Sequence, residues 1–275
     1  MLVRLVANPR SRRGATIVSA AQAALRAAKV QLLEENDATS PEAIVVAGGD
    51  GSIVRVIPEA IALGIPIGVI PCGTFNELAR TLELPFDVAA ACAAIVRGET
   101  RAIDVARVNG VYYVNEASIG ASSRITWLQR SEEKQRLGWG AILASILLGL
   151  RYVRPFHATI ECGDRTETMR TIQITVANSN RFGGIIDVHD AAIDDGLLDC
   201  YAIEAGGIFP IVSMVAAVIR HGAAGLRGLR TYRGTTIRLE APHTHRIAAD
   251  GEPAGTTPAT FEVLPKAIKI FVPGS

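Results

Sequence analysis

Residues 48–52 carry the pattern in this chain with the clearest chemical meaning. They are Gly-Gly-Asp-Gly-Ser, and they directly follow the short apolar run of residues 44–47. Such a run, followed by apolar residues at helical spacing, predicts a buried strand, a tight turn and a helix. Backbone N–H groups at a turn of this kind favour phosphate. The Asp50 carboxylate inside the turn suits either a Mg²⁺ ion or the orientation of a hydroxyl. The alternative is a glycine-rich turn without a ligand.

A second junction of the same kind follows one strand later. Residues 66–70 predict a strand, and it ends at Pro-Cys-Gly-Thr-Phe-Asn-Glu-Leu-Ala-Arg, residues 71–80. Thr74 and Asn76 place polar groups at this turn. Because successive parallel strands end at the same edge of a sheet, both turns are expected at the edge where open α/β sheets bind ligands. The second motif therefore favours a phosphate site over a plain turn.

Both motifs resemble those of the diacylglycerol kinase catalytic domain, the lipid kinase family that includes bacterial diacylglycerol kinases and sphingosine kinases. The usual family patterns are GGDGT and P-x-G-T-x-N-D-x-A-R, so Ser52 and Glu77 depart from them while keeping a hydroxyl and a carboxylate. Four further segments agree in order along the chain, namely residues 3–11, 114–120, 181–199 and 249–253. The resemblance spans nearly the whole chain and is specific for the family, but much less so for the lipid.

The resemblance implies ATP as the phosphoryl donor and assigns residues to its binding. The residues expected to bind the nucleotide are Asn8, Pro9, Ser11, Arg12, Gly48, Gly49, Asp50, Gly51, Ser52, Gly73, Thr74 and Asn76. The family places its general base in the late Asp-Gly-Glu motif, so Asp250, Glu252 or both are expected to accept the proton from the acceptor. Asp50 is the third expected catalytic residue. Phosphoryl transfer needs these parts because its catalysis is mostly positioning and charge stabilisation.

The resemblance also implies a structural Mg²⁺ ion at residues 194–196, Asp-Asp-Gly. The expected ligands are the side chain of Asp195 and the main-chain carbonyls of Ala192 and Leu197. One carboxylate and two carbonyls suffice because Mg²⁺ usually keeps several waters. The alternative is a turn without a metal.

The strand and helix patterns change at about residue 101. Before it, short apolar strands alternate with helical segments, which predicts an α/β nucleotide-binding domain, a parallel sheet with helices on both faces, over residues 1–101. After it, strand patterns, among them residues 111–117 and 260–264, and an Asn109-Gly110 turn predict a mainly antiparallel β-sandwich domain for the lipid substrate over residues 102–266, with a helical insertion at 125–152. The resemblance implies that a last strand at 267–275 returns to the first domain.

Composition favours an ordinary cytoplasmic enzyme. The net charge of +1 gives no reason to expect nucleic acid as a partner, and the four cysteines lack metal-ligand spacing. The longest apolar run, residues 141–150, falls short of the roughly 20 residues that cross a bilayer. An apolar stretch followed by arginines at 210–229 fits an anionic membrane surface, and it fits a helix with a solvated end equally well. We therefore expect transient, peripheral contact with membranes. The oligomeric state stays open, a homodimer included.

These patterns together indicate an ATP- and Mg²⁺-dependent lipid kinase with diacylglycerol as the leading acceptor. A sphingoid base or another lipid alcohol is the second candidate. NAD kinase is a third, because it shares a GGDG turn and a downstream Asn-Glu that Asn115-Glu116 would match. A lipid- or nucleotide-binding regulator without catalytic activity is the alternative from another class.

Overall fold

The computed structural model divides the chain into two compact units. It describes residues 1–7, 14–33, 39–120, 154–179, 181–182, 186–187, 192–205 and 229–274. The first unit comprises Met1–Val105, Ile193–Gly196 and Leu264–Ser275, and the second comprises Ala106–Ala192 and Leu197–Val263. Whether these units correspond to a nucleotide domain and a lipid domain remains a prediction.

The first unit is built on a parallel sheet. Its strands are β1 (Leu2–Ala7), β2 (Gln31–Leu32), β3 (Ala43–Gly48), β4 (Ile67–Pro71) and the last part of β17 (Ala259–Phe271). They lie in the order β2-β1-β3-β4-β17, and neighbours in this order run parallel. Every residue of β3 is buried. This explains its continuous apolar run, because a central parallel strand is covered on both faces.

The described residues of this unit form four helices: α1 (Gly14–Ala27), α2 (Asp50–Leu63), α3 (Glu77–Thr81) and α4 (Val88–Arg97). Helices α1 and α4 pack together on one face, where Leu25 and Ile95 join Val3 and Val45 in one apolar cluster. Helix α2 packs against β3 through buried residues that lie outside that cluster. The predicted parallel sheet with helices on both faces is therefore confirmed.

The second unit is antiparallel. Its strands are β5 (Thr100–Val108), which begins in the first unit, β6 (Val111–Tyr113), β7 (Glu116–Gly120), β8 (Phe156–Cys162), β9 (Arg165–Ala177), β12 (Leu198–Glu204), β13 (Arg230–Gly234), β14 (Thr236–Glu240), β15 (Arg246–Ala249) and β16 (Glu252–Thr256). A small hairpin, β10 (Arg181–Phe182) and β11 (Ile186–Asp187), pairs only with itself among the described residues. The first half of β9 pairs with β8, and its second half lies between β7 and β12. The predicted β-sandwich is confirmed.

Two predicted strand boundaries are wrong. The segment predicted as one strand over residues 111–117 is divided into β6 and β7, because the carboxylate of Asp250 takes the N–H groups of residues 114–116. Conversely, the strand predicted at 260–264 and the last strand predicted at 267–275 form the single strand β17, in which Lys266 adopts a positive φ of 51°.

The predicted helical insertion at 125–152 and nearly all of the arginine-ended stretch at 210–229 lie outside the described residues. No helix in the described ranges has both the length and the apolar character needed to span a bilayer.

Candidate active site

The two glycine turns of the first unit touch each other through their backbones. A Cβ atom placed on Gly73 would lie 2.4 Å from the Cα of Gly49, and one placed on Gly49 would lie 2.9 Å from the Cα of Gly73. The N–H of Cys72 donates to the carbonyl of Gly48 at 3.0 Å. Only glycine allows this approach, so the ends of β3 and β4 form one continuous backbone surface. Burial raises the pKa of the Cys72 thiol, so this neighbour stays protonated at neutral pH.

Asn76 fixes the shape of the second turn. Its backbone is left-handed, with φ 50° and ψ 49°. Its side-chain Oδ1 accepts the N–H of Gly73 at 2.9 Å, and its Nδ2 donates to the carbonyl of Gly73 at 2.8 Å. The side chain therefore closes the loop around Thr74, whose own side chain is exposed. An exposed threonine on a rigid turn is suited to contact a ligand.

Asp50 joins the first turn to the second. It is the first residue of α2, and its two carboxylate oxygens accept the N–H groups of Glu77 and Leu78 at 3.1 Å each. These N–H groups start α3 and have no partner within their own helix, so Asp50 serves as a distant cap for that helix. The expected roles of Asp50 toward Mg²⁺ or a hydroxyl remain predictions.

The start of α2 is open on one side. A Cβ atom placed on Gly51 would meet nothing within 4 Å, whereas one placed on Gly48 would lie 2.6 Å from the Oγ of Ser52. The Ser52 hydroxyl thus covers the end of β3, and the Gly51 side leaves space for a ligand. The first N–H groups of a helix attract anions. The other expected nucleotide-binding residues, Asn8, Pro9, Ser11 and Arg12, lie outside the described residues.

In the second unit, Asp250 organises a backbone bend. Its carboxylate accepts the N–H groups of Val114 at 2.8 Å and of Asn115 and Glu116 at 3.1 Å. Its own N–H donates to the carbonyl of Glu116 at 2.9 Å, and its backbone is left-handed with a φ of 44°. Backbone donors therefore occupy both oxygens of this carboxylate.

Glu252 differs from Asp250 in its surroundings. It is exposed at the start of β16, where it pairs in register with Ala249. Behind the hairpin lies Tyr113, which is fully buried and whose hydroxyl has no hydrogen-bond partner in the described part of the chain. Burial and then the charge of Asp250 raise the pKa of Tyr113 well above its usual value, so it stays protonated.

The Asp-Asp-Gly turn belongs to the first unit and is held by a residue that the sequence analysis missed. Asp104 is 1% exposed and accepts the N–H of Gly196 at 2.6 Å and that of Lys266 at 2.7 Å. Asp194 forms an ion pair with Arg101 at 2.7 Å, whereas Asp195 is exposed. The sequence did contain a signal for Asp104, because its carboxylate stands between apolar residues in a predicted strand. A charge buried at such a position needs hydrogen-bond partners.

The two adjacent aspartates therefore differ, and the exposed Asp195 carboxylate is the one suited to a hard cation. Among the described residues, no three His, Cys, Asp or Glu side chains are grouped as a metal site. The expected site has only one carboxylate and would draw its other protein ligands from main-chain carbonyls. The expected ligands Asp195, Ala192 and Leu197 are all described, and their binding of Mg²⁺ remains a prediction.

The chain matches two family models in sequence. Residues 3–108 match the diacylglycerol kinase catalytic domain, and residues 118–272 match the YegS C-terminal NAD kinase beta sandwich-like domain. A protein from Bacillus subtilis named diacylglycerol kinase is 27% identical over 254 residues, which cover 91% of this chain and 82% of the relative.

The chain is also similar to an uncharacterised protein and, in its fold, to a solved structure. An uncharacterised protein from Synechocystis is 29% identical over 252 residues, and the match covers 88% of this chain but only 58% of that longer relative. The crystal structure of a diacylglycerol kinase from Bacillus anthracis superimposes with a TM-score of 0.75 at 24% identity, covering 98% of this chain and 96% of that chain. The chain therefore belongs to the lipid kinase family that joins a diacylglycerol kinase catalytic domain to a YegS-type C-terminal domain.

Proposed function

We propose that this chain transfers the γ-phosphate of ATP to the free hydroxyl of diacylglycerol. Membership of the lipid kinase family supports the reaction class, and a kinase of this family uses a nucleotide. The observation that carries the proposal is the backbone contact between Gly49 and Gly73, because it places two glycine turns and a helix start side by side. Such an arrangement suits a chain of phosphates.

In this proposal the first unit holds the nucleotide. Gly49 and Gly51 would offer backbone N–H groups to the phosphates and Ser52 its hydroxyl, and Thr74 and Asn76 form the opposite turn. Asp50 keeps α3 in place through the N–H groups of Glu77 and Leu78. The donors would then stay fixed while negative charge moves from the γ-phosphate to the departing ADP.

The second unit supplies the proton acceptor. The hydroxyl oxygen of the lipid forms a bond to the γ-phosphorus, the bond between that phosphorus and the β–γ bridging oxygen breaks, and ADP leaves. The hydroxyl proton passes to a carboxylate. We assign this role to Glu252, because Asp250 already accepts three backbone N–H groups and Glu252 is exposed. Asp250 is then a positioning residue for the hairpin.

A divalent cation fits this arrangement. The exposed carboxylate of Asp195, on a turn fixed by Asp104, would hold Mg²⁺ together with the carbonyls of Ala192 and Leu197. When bound, the ion would supply positive charge that fixes the turn. Transient contact with a membrane surface is part of the proposal, because diacylglycerol resides in bilayers. A sphingoid base remains the second candidate acceptor.

The proposal is tested by transfer of labelled γ-phosphate from ATP in the presence of Mg²⁺. The acceptors are mixed micelles of dioctanoylglycerol or sphingosine, and NAD serves as a soluble control. We expect labelled lipid from dioctanoylglycerol, and a loss of labelling in Glu252→Gln with ADP binding retained. Labelled NAD would overturn the acceptor class. If the protein binds ADP but transfers phosphate to no acceptor, the result would favour a lipid- or nucleotide-binding regulator without catalytic activity.

A further inference from the structure

Phe75 is the most exposed large apolar residue in the described part of the chain. It is 56% exposed and stands in the second glycine turn, between Thr74 and Asn76. Single apolar residues are common on protein surfaces, so exposure alone assigns no role to this ring. What distinguishes Phe75 is its place in the turn.

The backbone that carries this ring is fixed on both sides. Before the ring, the side chain of Asn76 binds the N–H and the carbonyl of Gly73 at 2.9 and 2.8 Å. After it, the Nε of Arg80 donates to the carbonyl of Phe75 itself at 3.1 Å. The exposed ring therefore projects from a turn whose shape is set by three hydrogen bonds.

The same turn carries groups that we propose to bind phosphate. Thr74 directly precedes Phe75, and its side chain is also exposed. Gly73 contacts the first turn, because a Cβ atom placed on it would lie 2.4 Å from the Cα of Gly49. Phe75 is thus an apolar residue directly beside a site whose other groups act through hydrogen bonds.

Phe86 provides a comparison within the same unit. It is 47% exposed, and the guanidinium of Arg80 lies 5.1 Å from the centre of its ring. This cation–π contact gives the ring of Phe86 a partner within the protein. Phe75 contacts the same arginine only through its carbonyl, and in the described part of the chain no cation or aromatic ring stacks on it. The ring of Phe75 is therefore available to a ligand.

The charges around the ring do not favour an anionic membrane as that ligand. Between residues 75 and 87 the chain has three acidic residues, Glu77, Glu83 and Asp87, and a single basic one, Arg80. Juxtaposed basic residues are what attract a protein surface to anionic lipid headgroups. The position of the ring beside the phosphate site is the better guide to its role.

Phosphoryl transfer has a use for an apolar ring at this position. Water competes with the lipid hydroxyl: its oxygen bonds to the γ-phosphorus, the bond to the β–γ bridging oxygen breaks, and ADP and inorganic phosphate leave as a proton passes to solvent. An apolar surface over the phosphates expels this water. A phenyl ring has no hydrogen-bonding group, so it excludes water without competing for the phosphate oxygens.

We propose that Phe75 covers the γ-phosphate of bound ATP and excludes water, so that the lipid hydroxyl accepts the phosphoryl group. This inference rests on the proposed kinase function and deepens it. It assigns to one exposed side chain the choice between transfer to lipid and hydrolysis of ATP. Its role is separate from those of Thr74 and Asn76, which act through hydrogen bonds.

The test compares the wild-type protein with Phe75→Ala and Phe75→Leu. Each is given γ-labelled ATP, Mg²⁺ and mixed micelles of dioctanoylglycerol, and labelled lipid and labelled inorganic phosphate are measured in the same reaction. Phe75→Ala should raise the ratio of inorganic phosphate to labelled lipid about fivefold or more, with KM for ATP within about twofold of the wild type. Phe75→Leu keeps apolar bulk, so its ratio should stay close to that of the wild type.

The matched control is Phe86→Ala. It removes an exposed ring from the same unit and from the same arginine, and it should leave the ratio unchanged. Thermal unfolding of every variant checks that the proteins are folded. The inference is overturned if Phe75→Ala keeps the wild-type ratio, if Phe86→Ala raises it as much, or if Phe75→Ala changes only KM for ATP or for dioctanoylglycerol. A wild-type protein that labels no lipid would refute the proposed function as well, which distinguishes the two failures.

Discussion

The two units use their sheets in opposite ways. In the first unit the central strand β3 is buried and apolar along its whole length, and the two glycine turns of the candidate site follow the ends of β3 and β4. In the second unit one face of the sheet is apolar and the other carries buried hydroxyl and amide groups. The first unit therefore presents backbone N–H groups at an edge, whereas the second presents side chains on a face.

The two units also have one hydrogen-bonding arrangement in common. In each, a carboxylate at a turn accepts backbone N–H groups from a segment that is distant in sequence. Asp50 holds two N–H groups at the start of α3, and Asp250 holds three between β6 and β7. The difference is in what lies beside each carboxylate: a pair of glycine turns in the first unit, and an exposed Glu252 in the second. This comparison indicates that aspartates position both sites.

The largest expected effect separates Glu252 from Asp250. Glu252→Gln should lower kcat about 100-fold or more, because it removes a general base while leaving the hairpin intact. Asp250→Asn should lower the free energy of unfolding by about 1–3 kcal/mol as well, because its amide would turn a donor toward backbone N–H groups. Steady-state kinetics and denaturant unfolding check both variants. A stable Asp250→Asn without activity, beside an active Glu252→Gln, would contradict the assignment.

A second comparison uses two aspartates that cap helices. Asp50 accepts the first N–H groups of α3, and Asp87 accepts the N–H of Ala90 at the start of α4 at 2.9 Å. Both Asp50→Ala and Asp87→Ala should cost about 1 kcal/mol of stability. Only Asp50→Ala should also lower kcat/KM for ATP, by at least tenfold, because α3 carries the second turn. Equal kinetic effects would show that Asp50 is a cap and nothing more.

The glycine contact gives the third prediction. In Gly73→Ala the new methyl group would clash with the Cα of Gly49, so the free energy of unfolding should fall by about 1–3 kcal/mol and ADP should bind more weakly. Gly51→Ala should leave stability unchanged or higher, because its methyl group meets open space. Denaturant unfolding and calorimetric titration with ADP measure these effects. Wild-type stability in Gly73→Ala would refute the close approach.

The smallest effect concerns the Asp-Asp-Gly turn. Asp104→Asn should cost about 1–3 kcal/mol, because it turns a donor toward two N–H groups at a buried position. Arg101→Ala removes the exposed ion pair with Asp194 and should cost less than about 1 kcal/mol. Thermal unfolding of the two variants ranks these contacts. An equal loss in both would mean that the buried carboxylate does not hold the turn.

The first unit could be predicted almost completely from sequence. Its strands and helices are continuous segments with clear periodicity, and two glycine motifs mark the strand ends that matter. The second unit could be predicted in class but not in detail. The division of residues 111–117 depends on Asp250, which lies far away in sequence. The second half of β9 likewise pairs with β7 and β12, which come from distant parts of the chain. Sequence periodicity does not encode which distant strand becomes a neighbour.

The contacts of the candidate site could not be predicted for the same reason. Motifs identified Asp50, Asp250 and Glu252 but did not reveal what each side chain contacts. Asp104 lies outside every one of these motifs. The contacts of the two aspartates with distant N–H groups arise from tertiary packing. They turn two expected catalytic carboxylates into residues that also hold the backbone in place.

The most direct test of this account is a two-substrate kinetic matrix for Gly73→Ala and Glu252→Gln, with ATP and dioctanoylglycerol each varied at several fixed concentrations of the other. Because the nucleotide is assigned to the glycine turns and the proton acceptor to Glu252, we predict separate effects. Gly73→Ala should raise KM for ATP, whereas Glu252→Gln should lower kcat and leave KM for ATP within twofold. A Glu252→Gln variant that keeps the wild-type kcat, or that raises KM for ATP as much as Gly73→Ala does, would contradict the division of roles between the two units.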